Sequence, residues 1–305
     1  MTITKYRTLI FSLTGVILLA AISSILYFGL PLGIDFTGGS LMQVEYPQGR
    51  PPLADIQTQV ATVPLGAVSV RESGDNAIVL RTRTMLPEEH DKVLAALSQG
   101  VSVTQLSYTS VGPSFSGEFA AKSLWALLAV ALAITLYVAF AFHKVSKPIP
   151  SWIYGVTVIA MLVHDLIVPA GFYAFLTHTT GAQVDALFVT ALLALLGYSV
   201  NDTIVVFDRI REHLATNEKT NNKEPFELTV GKSISETLTR SVNTSLTVVL
   251  ALVALVFFGA TATRDFALVM LVGVIAGTYS SILLAAPLLI PFARWYTRPA
   301  EDRKK

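Results

Sequence analysis

The chain contains no cysteine among its 305 residues, and it carries little charge of either sign. Without cysteine there can be no disulfide, no thiolate metal site and no cysteine nucleophile. Only 14% of the residues are charged, whereas ordinary soluble domains carry about 25%. Because 52% of the residues are hydrophobic, the composition indicates a membrane protein.

A concentrated basic surface is also lacking, since the formal net charge is only +1. Nucleic-acid binding needs such a surface, so we expect no nucleic-acid partner. The stretch "VGKS" (230–233) ends like a Walker loop, but Phe226 occupies the position of the leading glycine. We therefore predict no enzyme activity, no catalytic residue, no metal site and no bound cofactor.

Six apolar segments are each long enough to cross the hydrocarbon layer, which takes about 20 residues of helix. They occupy residues 9–29, 123–142, 152–176, 184–207, 242–259 and 265–292. The first follows a short basic lead, but its apolar run is too long for a cleaved signal peptide, so we interpret it as a retained anchor. The predicted fold class is an α-helical membrane protein with six transmembrane helices.

The positions of lysine and arginine predict the orientation, because these residues concentrate in cytoplasmic segments. With the N-terminus inside, cytoplasmic segments hold 15 of the 22 lysines and arginines, so we expect both termini in the cytoplasm. The predicted parts are the N-terminus with helix one (1–29), an extracytoplasmic domain (30–122), helices two to six (123–292) with a cytoplasmic loop (209–240), and a cytoplasmic tail (293–305).

Segment 30–122 alternates strand and helix patterns, such as "SLMQVEY" for a strand and "PEEHDKVLAALS" for a helix. The whole order is βαββαβ, which is typical of a ferredoxin-like domain. We therefore predict a small α+β domain between helices one and two, with one sheet face packed against both helices. A loose exported linker is the alternative.

The stretch "GYSVNDTIVVFDRIRE" (197–212) places Asn201 and Asp202 inside the apolar fourth helix. An aspartate at the centre of a spanning helix costs roughly 2.5–3.5 kcal/mol on insertion. Such a residue is by default a functional site, so we predict that Asp202, with Asn201 beside it, takes part in proton transport. The alternative is that Asp202 lies shallow enough to snorkel to water or to cap the helix.

Three further polar residues are candidates for the same proton path. Arg240 on the fifth helix can reach the depth of Asp202, and an arginine near a buried carboxylate favours its ionised form. His164 and Asp165 lie near the middle of the third helix, and such pairs relay protons in pumps. The alternatives are that Arg240 is a positive-inside anchor and that His164 and Asp165 only satisfy hydrogen bonds.

Two groups of glycines have a structural interpretation. Gly273 and Gly277 form a GxxxG motif in the sixth helix, which is typical of close helix packing. Gly33, Gly38 and Gly39 follow the first helix, and glycine adopts backbone angles that other residues resist. The second group predicts a hinge at the entrance to the α+β domain, or alternatively a tight turn without a moving role.

Five motifs together resemble the SecF family, the smaller membrane subunits of the bacterial SecD–SecF pair. They are "GIDFTGGS" (33–40), "VGPS" (111–114), "HD" (164–165), "GYSVNDTIVVFDRIRE" (197–212) and "GVIAGTYSSI" (273–282). The resemblance implies that the six helices form half of an RND-type bundle, with SecD as the other half. It also implies that Asp202 corresponds to the proton-carrying aspartate of the family and Arg240 to the arginine that accompanies it.

The resemblance further implies a location in the bacterial cytoplasmic (inner) membrane, with protons as the coupling ion. The implied partners are SecD, the SecYEG channel, YajC and unfolded secreted chains. The expected function is a proton-driven accessory subunit that helps to complete export on the outer side of the membrane. The alternatives are a scaffold subunit that conducts no protons and a small-molecule exporter of the RND type.

Overall fold

The computed structural model describes residues 6–142, 149–259 and 261–297. Lys5, Lys144, Lys147 and the predicted tail beyond residue 297 lie outside the described residues. The chain forms two compact units. The membrane unit comprises residues 1–30, 125–182 and 187–305, and the α+β unit comprises residues 31–124 and 183–186.

The secondary structure follows the predicted alternation along the chain. The elements are α1 (Arg7–Phe28), α2 (Ile34–Thr37), β1 (Gly39–Glu45), α3 (Leu53–Val60), β2 (Ser69–Ser73), β3 (Ala77–Thr82), α4 (Pro87–Leu97), β4 (Thr104–Val111), α5 (Pro113–Ala141), α6 (Ser151–Thr180), α7 (Ala186–Lys219), α8 (Phe226–Phe258), α9 (Thr261–Ser280), a π-helical turn (Ser281–Ala285) and α10 (Ala286–Thr297). Six spans are long and apolar enough to cross a membrane: α1, α5, α6, α7, α8, and α9 with α10. The prediction of six transmembrane helices is confirmed.

The α+β unit is built on one four-stranded sheet. Its strand order is β2–β3–β1–β4, and every neighbouring pair is antiparallel, which is the ferredoxin-like arrangement predicted from the sequence. Alternate side chains on a strand point to the same face. One face therefore buries Met42 and Val44 from β1 with Leu80 from β3, and helices α3 and α4 cover it with Ile56 and Val93. A loose linker is excluded.

Helices α7 and α8 extend well beyond their predicted apolar spans. They contain 34 and 33 residues, which corresponds to about 50 Å each, longer than the hydrocarbon layer. Most of the predicted 209–240 loop is therefore helical, and only 220–225 connects the two helices. Glu236 of α8 accepts hydrogen bonds from Arg209 and His213 of α7, so ion pairing joins the polar halves of this hairpin.

The sixth span is interrupted by the π-helical turn, where the apolar pattern predicts regular helix. Pro287 follows this turn by two residues. Proline has no N–H, and its ring clashes with the carbonyl four residues earlier. The wider turn accommodates that clash without ending the span, and π-helical turns are frequent at functional sites.

Helix α1 packs closely against α6 at a residue that the sequence analysis did not single out. A Cβ atom on Gly171 would lie 2.5 Å from the Cα of Ala21, so no larger residue fits without moving α1. The Ser24 hydroxyl also donates to the Gly171 carbonyl at 2.8 Å. Gly171 thus fixes the distance between α1 and the helix that carries His164 and Asp165.

We predict that Gly171→Ala destabilises the membrane unit by about 1–3 kcal/mol, because overpacking forces backbone shifts. Chemical denaturation of the full chain in detergent micelles measures the change. Gly197→Ala is the matched control, because a Cβ atom there meets nothing within 4 Å. Equal stability of the two variants would contradict the packing contact.

Candidate functional site

Asp165 lies at the centre of a buried hydrogen-bond network in the membrane unit. Its side chain is 2% exposed. One carboxyl oxygen lies 2.7 Å from His164 Nδ1, and the other accepts from the hydroxyls of Ser199 on α7 and Ser280 on α9, the latter at 2.9 Å. Three helices therefore converge on one carboxyl group, which agrees with the rule that buried polar groups are hydrogen-bonded.

His164 makes a second contact between this network and α9. Its Nε2 atom lies 2.6 Å from the Tyr279 hydroxyl. A neutral imidazole that donates from Nδ1 to Asp165 has Nε2 free to accept from Tyr279, so both ring nitrogens are satisfied. We call His164, Asp165, Ser199, Tyr279 and Ser280 the Asp165 cluster. Hydrogen-bonded chains of this kind can pass a proton from one end to the other.

Asp202 lies near the middle of α7 and is 4% exposed. Its carboxyl accepts a hydrogen bond of 3.2 Å from the Ser245 hydroxyl on α8. Thr278 Oγ1 on α9 lies 2.7 Å from the same Ser245 oxygen. We call Asp202, Ser245 and Thr278 the Asp202 cluster.

Two further buried hydroxyls lie beside Asp202, and neither makes a hydrogen bond of standard geometry within the described residues. They are Tyr198 Oη, one turn earlier on α7, and Ser241 Oγ, one turn before Ser245 on α8. Tyr198 interacts electrostatically with Asp202, and Ser241 faces the same carboxyl. The Asp202 carboxyl therefore lies beside neutral hydroxyl groups of both α7 and α8.

The other two residues predicted for proton transport, Arg240 and Asn201, lie at the surface of this single chain. Arg240 is exposed, and no ion pair within 4.0 Å joins it to Asp202 in the part of the chain that the structure describes. It acts on Asp202 electrostatically, over a longer distance. Asn201 is exposed although its neighbour Asp202 is buried, because consecutive helical residues point in different directions.

Helix α9 joins the two clusters through three consecutive residues. Thr278 contacts Ser245, Tyr279 contacts His164, and Ser280 contacts Asp165. The preceding glycine brings α9 close to α7, since a Cβ atom on Gly277 would lie 3.1 Å from the Cβ of Ser199. One turn earlier, a Cβ atom on Gly273 would overlap the side chain of Leu195. The predicted packing glycines thus face α7 beside both clusters.

The three glycines predicted to form a hinge lie in close backbone contacts of the α+β unit. A Cβ atom would lie 2.8 Å from the Val184 carbonyl oxygen at Gly33, 3.4 Å from Pro113 at Gly38 and 2.5 Å from the Thr82 carbonyl oxygen at Gly39. Gly38 and Gly39 also have positive φ angles of 72° and 126°. Each position therefore requires glycine, and a hinge motion remains a prediction.

Tyr279 and Ser199 were not predicted as parts of the site. Tyr279 lies in the motif "GVIAGTYSSI" and Ser199 in "GYSVNDTIVVFDRIRE". Ser199 precedes Asp202 by three residues, so the two side chains are neighbours on the surface of the same helix. The signal that could have identified both residues is the presence of a polar side chain inside an apolar helix. No group of three His, Cys, Asp or Glu side chains able to hold a metal ion occurs within residues 6–142, 149–259 and 261–297.

Known proteins resemble this chain over nearly its whole length. The family described as protein export membrane protein SecD/SecF, C-terminal, matches residues 91–295, and the SecD/SecF GG motif matches residues 24–46. Protein translocase subunit SecF of Thermobaculum terrenum is 40% identical over 301 residues, which cover 94% of this chain and 92% of that protein. The SecF subunit of Anaerolinea thermophila is 36% identical over 304 residues, covering 97% and 96%.

Solved structures of SecDF are also similar. SecDF from Thermus thermophilus, described as a translocon-associated membrane protein, matches with a TM-score of 0.80 and 29% identity. A SecDF structure in a super-membrane-facing form matches with a TM-score of 0.65 and 29% identity, covering 95% of this chain and 38% of that one. The match to the Thermus protein covers 96% of this chain but only 39% of the SecDF polypeptide.

We predict that Ser280→Ala lowers the free energy of unfolding by about 1–3 kcal/mol, because it removes a donor from the buried Asp165 carboxyl. Ser281→Ala is the matched control, since the Ser281 hydroxyl donates to a carbonyl of its own helix, that of Gly277, at 2.8 Å. Denaturation of both variants in detergent micelles compares them. An equal loss would show that the contact with Asp165 contributes nothing specific.

Proposed function

This chain belongs to the SecD/SecF family of protein-export membrane proteins, as its sequence motifs predicted, and on that premise we propose that it is the SecF-type subunit of a protein translocase. In this proposal, proton movement through the membrane unit drives a late step of export on the outer side. The role is one of transport, with no catalysed chemical reaction. The proposed location is the bacterial cytoplasmic (inner) membrane, with both termini inside.

The observation that carries the proton-coupling proposal is the environment of Asp202. Its buried carboxyl accepts a hydrogen bond from a neutral hydroxyl, that of Ser245, and has no cation within 4.0 Å in the described parts of the chain. A charge buried without a partner is expensive. The protonation state of Asp202 therefore depends strongly on small movements of a cation, which is the property a proton carrier needs.

Arg240 is the cation that we propose for this switch. It lies on α8, five residues before Ser245, and interacts with Asp202 without touching it. An arginine that moves toward the carboxyl stabilises the ionised form, and one that moves away allows a proton to return. The position of α8 and the protonation of Asp202 are then linked, so that each biases the other.

The Asp165 cluster is the second part of the proposed proton path. Because Thr278, Tyr279 and Ser280 are consecutive, a small rotation or shift of α9 changes contacts in both clusters at once. The π-helical turn begins directly after Ser280, where the helix is locally widened. Each proton moved through a potential of 100 mV supplies about 2.3 kcal/mol, so a few protons can drive such a motion.

SecD is the partner that this proposal requires. The chain covers 39% of a SecDF polypeptide and has six candidate spans, which supports the proposal that it forms half of an RND-type bundle. We further propose the SecYEG channel, YajC and unfolded secreted chains as partners, with protons as the coupling ion. A small-molecule exporter fits less well, because the α+β unit is a single sheet whose one face is already covered by its own two helices.

We predict that Asp202→Asn abolishes proton-dependent export, because asparagine keeps the size of the side chain but cannot take up or release a proton. The measurement is completion of translocation by vesicles that contain the variant, SecD and the Sec channel, with and without a proton gradient. Asp208→Asn is the matched control on the same helix, since Asp208 is 55% exposed and pairs with Arg211 at 2.6 Å.

Co-purification with SecD separates proton coupling from a scaffold role. Asp202→Asn is expected to assemble normally, whereas Gly273→Leu, which overlaps Leu195, is expected to disturb packing and assembly. Normal gradient-dependent export by Asp202→Asn would overturn the proposal and favour the scaffold. Loss of export by Asp208→Asn to the same extent would show that the effect is not specific to the buried carboxyl.

A further inference from the structure

The stretch "GIDFTGG" contains an acidic residue, Asp35, for which neither the motif glycines nor the proton path gives a role. Its carboxyl oxygen Oδ2 accepts a hydrogen bond of 2.7 Å from the backbone N–H of Ala186. Ala186 is the first residue of α7, the helix that carries Asp202. The two partners are 151 residues apart in the chain, and both belong to the α+β unit.

Backbone hydrogen bonds hold the same junction together. The Gly33 N–H donates to the Val184 carbonyl at 2.7 Å, and the Val184 N–H donates to the Pro31 carbonyl at 2.8 Å. Leu32 and Val184 form a parallel bridge. The segment before Asp35 and the segment before α7 are thus paired, with no room for a side chain on Gly33.

A short connection joins this junction to the centre of the sheet. Asp35 lies in the single-turn helix α2, which is followed at once by β1, an inner strand. Arg81 of the adjacent strand β3 donates to the Thr37 hydroxyl at 2.6 Å. From Ala186, α7 continues without interruption for 16 residues to Asp202, a rise of about 24 Å.

We propose that Asp35 is a positioning residue that ties the start of α7 to the sheet, so that movement of α7 at Asp202 is transmitted to the α+β unit. The first N–H groups of a helix have no acceptor within the helix, and a carboxylate there satisfies one of them and interacts favourably with the helix dipole. This inference rests on the proposed function, since it supplies the mechanical link between proton movement and export.

The test compares Asp35→Ala with Asp35→Asn in the full chain, assembled with SecD and the Sec channel. An asparagine at this position keeps an oxygen acceptor for the Ala186 N–H, whereas alanine removes it. We expect Asp35→Ala to raise amide hydrogen exchange in the first turn of α7 about fivefold and to lose most gradient-dependent export. Asp35→Asn should retain both, and the matched control Asp75→Ala, in an exposed turn, should change neither.

Each other outcome overturns the inference. Unchanged amide hydrogen exchange at the start of α7 in Asp35→Ala would exclude the positioning contact. Faster exchange with normal gradient-dependent export would show that the contact exists but does not couple α7 to export. Equal defects in Asp35→Ala and Asp35→Asn would show that an acceptor oxygen at this position does not hold the start of α7, which overturns the proposed contact. If Asp35→Ala does not accumulate, Gly33→Ala disturbs the same junction through the Val184 carbonyl, and normal exchange and export there overturn the inference.

Failure of the proposed function is recognised separately. Normal export by Asp202→Asn would overturn the proposed proton coupling. The proposal that Asp35 transmits movement of α7 to the α+β unit would then be overturned as well. Hydrogen exchange at the start of α7 does not depend on proton coupling. It therefore still decides whether Asp35 positions this helix.

Discussion

The close approach of α9 to α7 is the constraint on which both polar clusters depend. Gly277 allows the two helices to meet at Ser199, and the next three residues of α9 then reach three different polar partners. Polar groups inside a membrane have no bulk water to bind, so their partners must come from neighbouring helices. A larger residue at Gly277 would separate the helices and leave several buried groups unpaired at once.

The two clusters differ in how well they are satisfied. Asp165 has partners on both oxygens and lies in a network that fixes α6, α7 and α9 to one another. Asp202 accepts one hydrogen bond, from Ser245, and the nearby hydroxyls of Tyr198 and Ser241 make none of standard geometry in the described parts of the chain. A satisfied network rigidifies a core, whereas an incompletely satisfied one is easily changed by water, a proton or a moving cation. The Asp165 cluster is therefore suited to hold the three helices in place, whereas Asp202 is suited to change its protonation state.

Close backbone contacts hold the "GIDFTGG" segment within the α+β unit. The glycines of "GIDFTGG" allow the chain to pass close to Val184, Pro113 and Thr82, and Asp35 accepts from the first N–H of α7. The motif is therefore a tightly bonded junction, and its glycines are explained by close backbone contacts and positive φ angles.

The sequence by itself determined the six apolar spans, the βαββαβ order and the unusual position of Asp202, because hydrophobic length and periodicity are local properties. It did not predict the interruption after Ser280 or the contact of Tyr279 with His164. Those features depend on which helix faces are neighbours, and on whether polar residues continue a helix or end it. Only tertiary packing decides this, since it chooses the partner of each buried polar group.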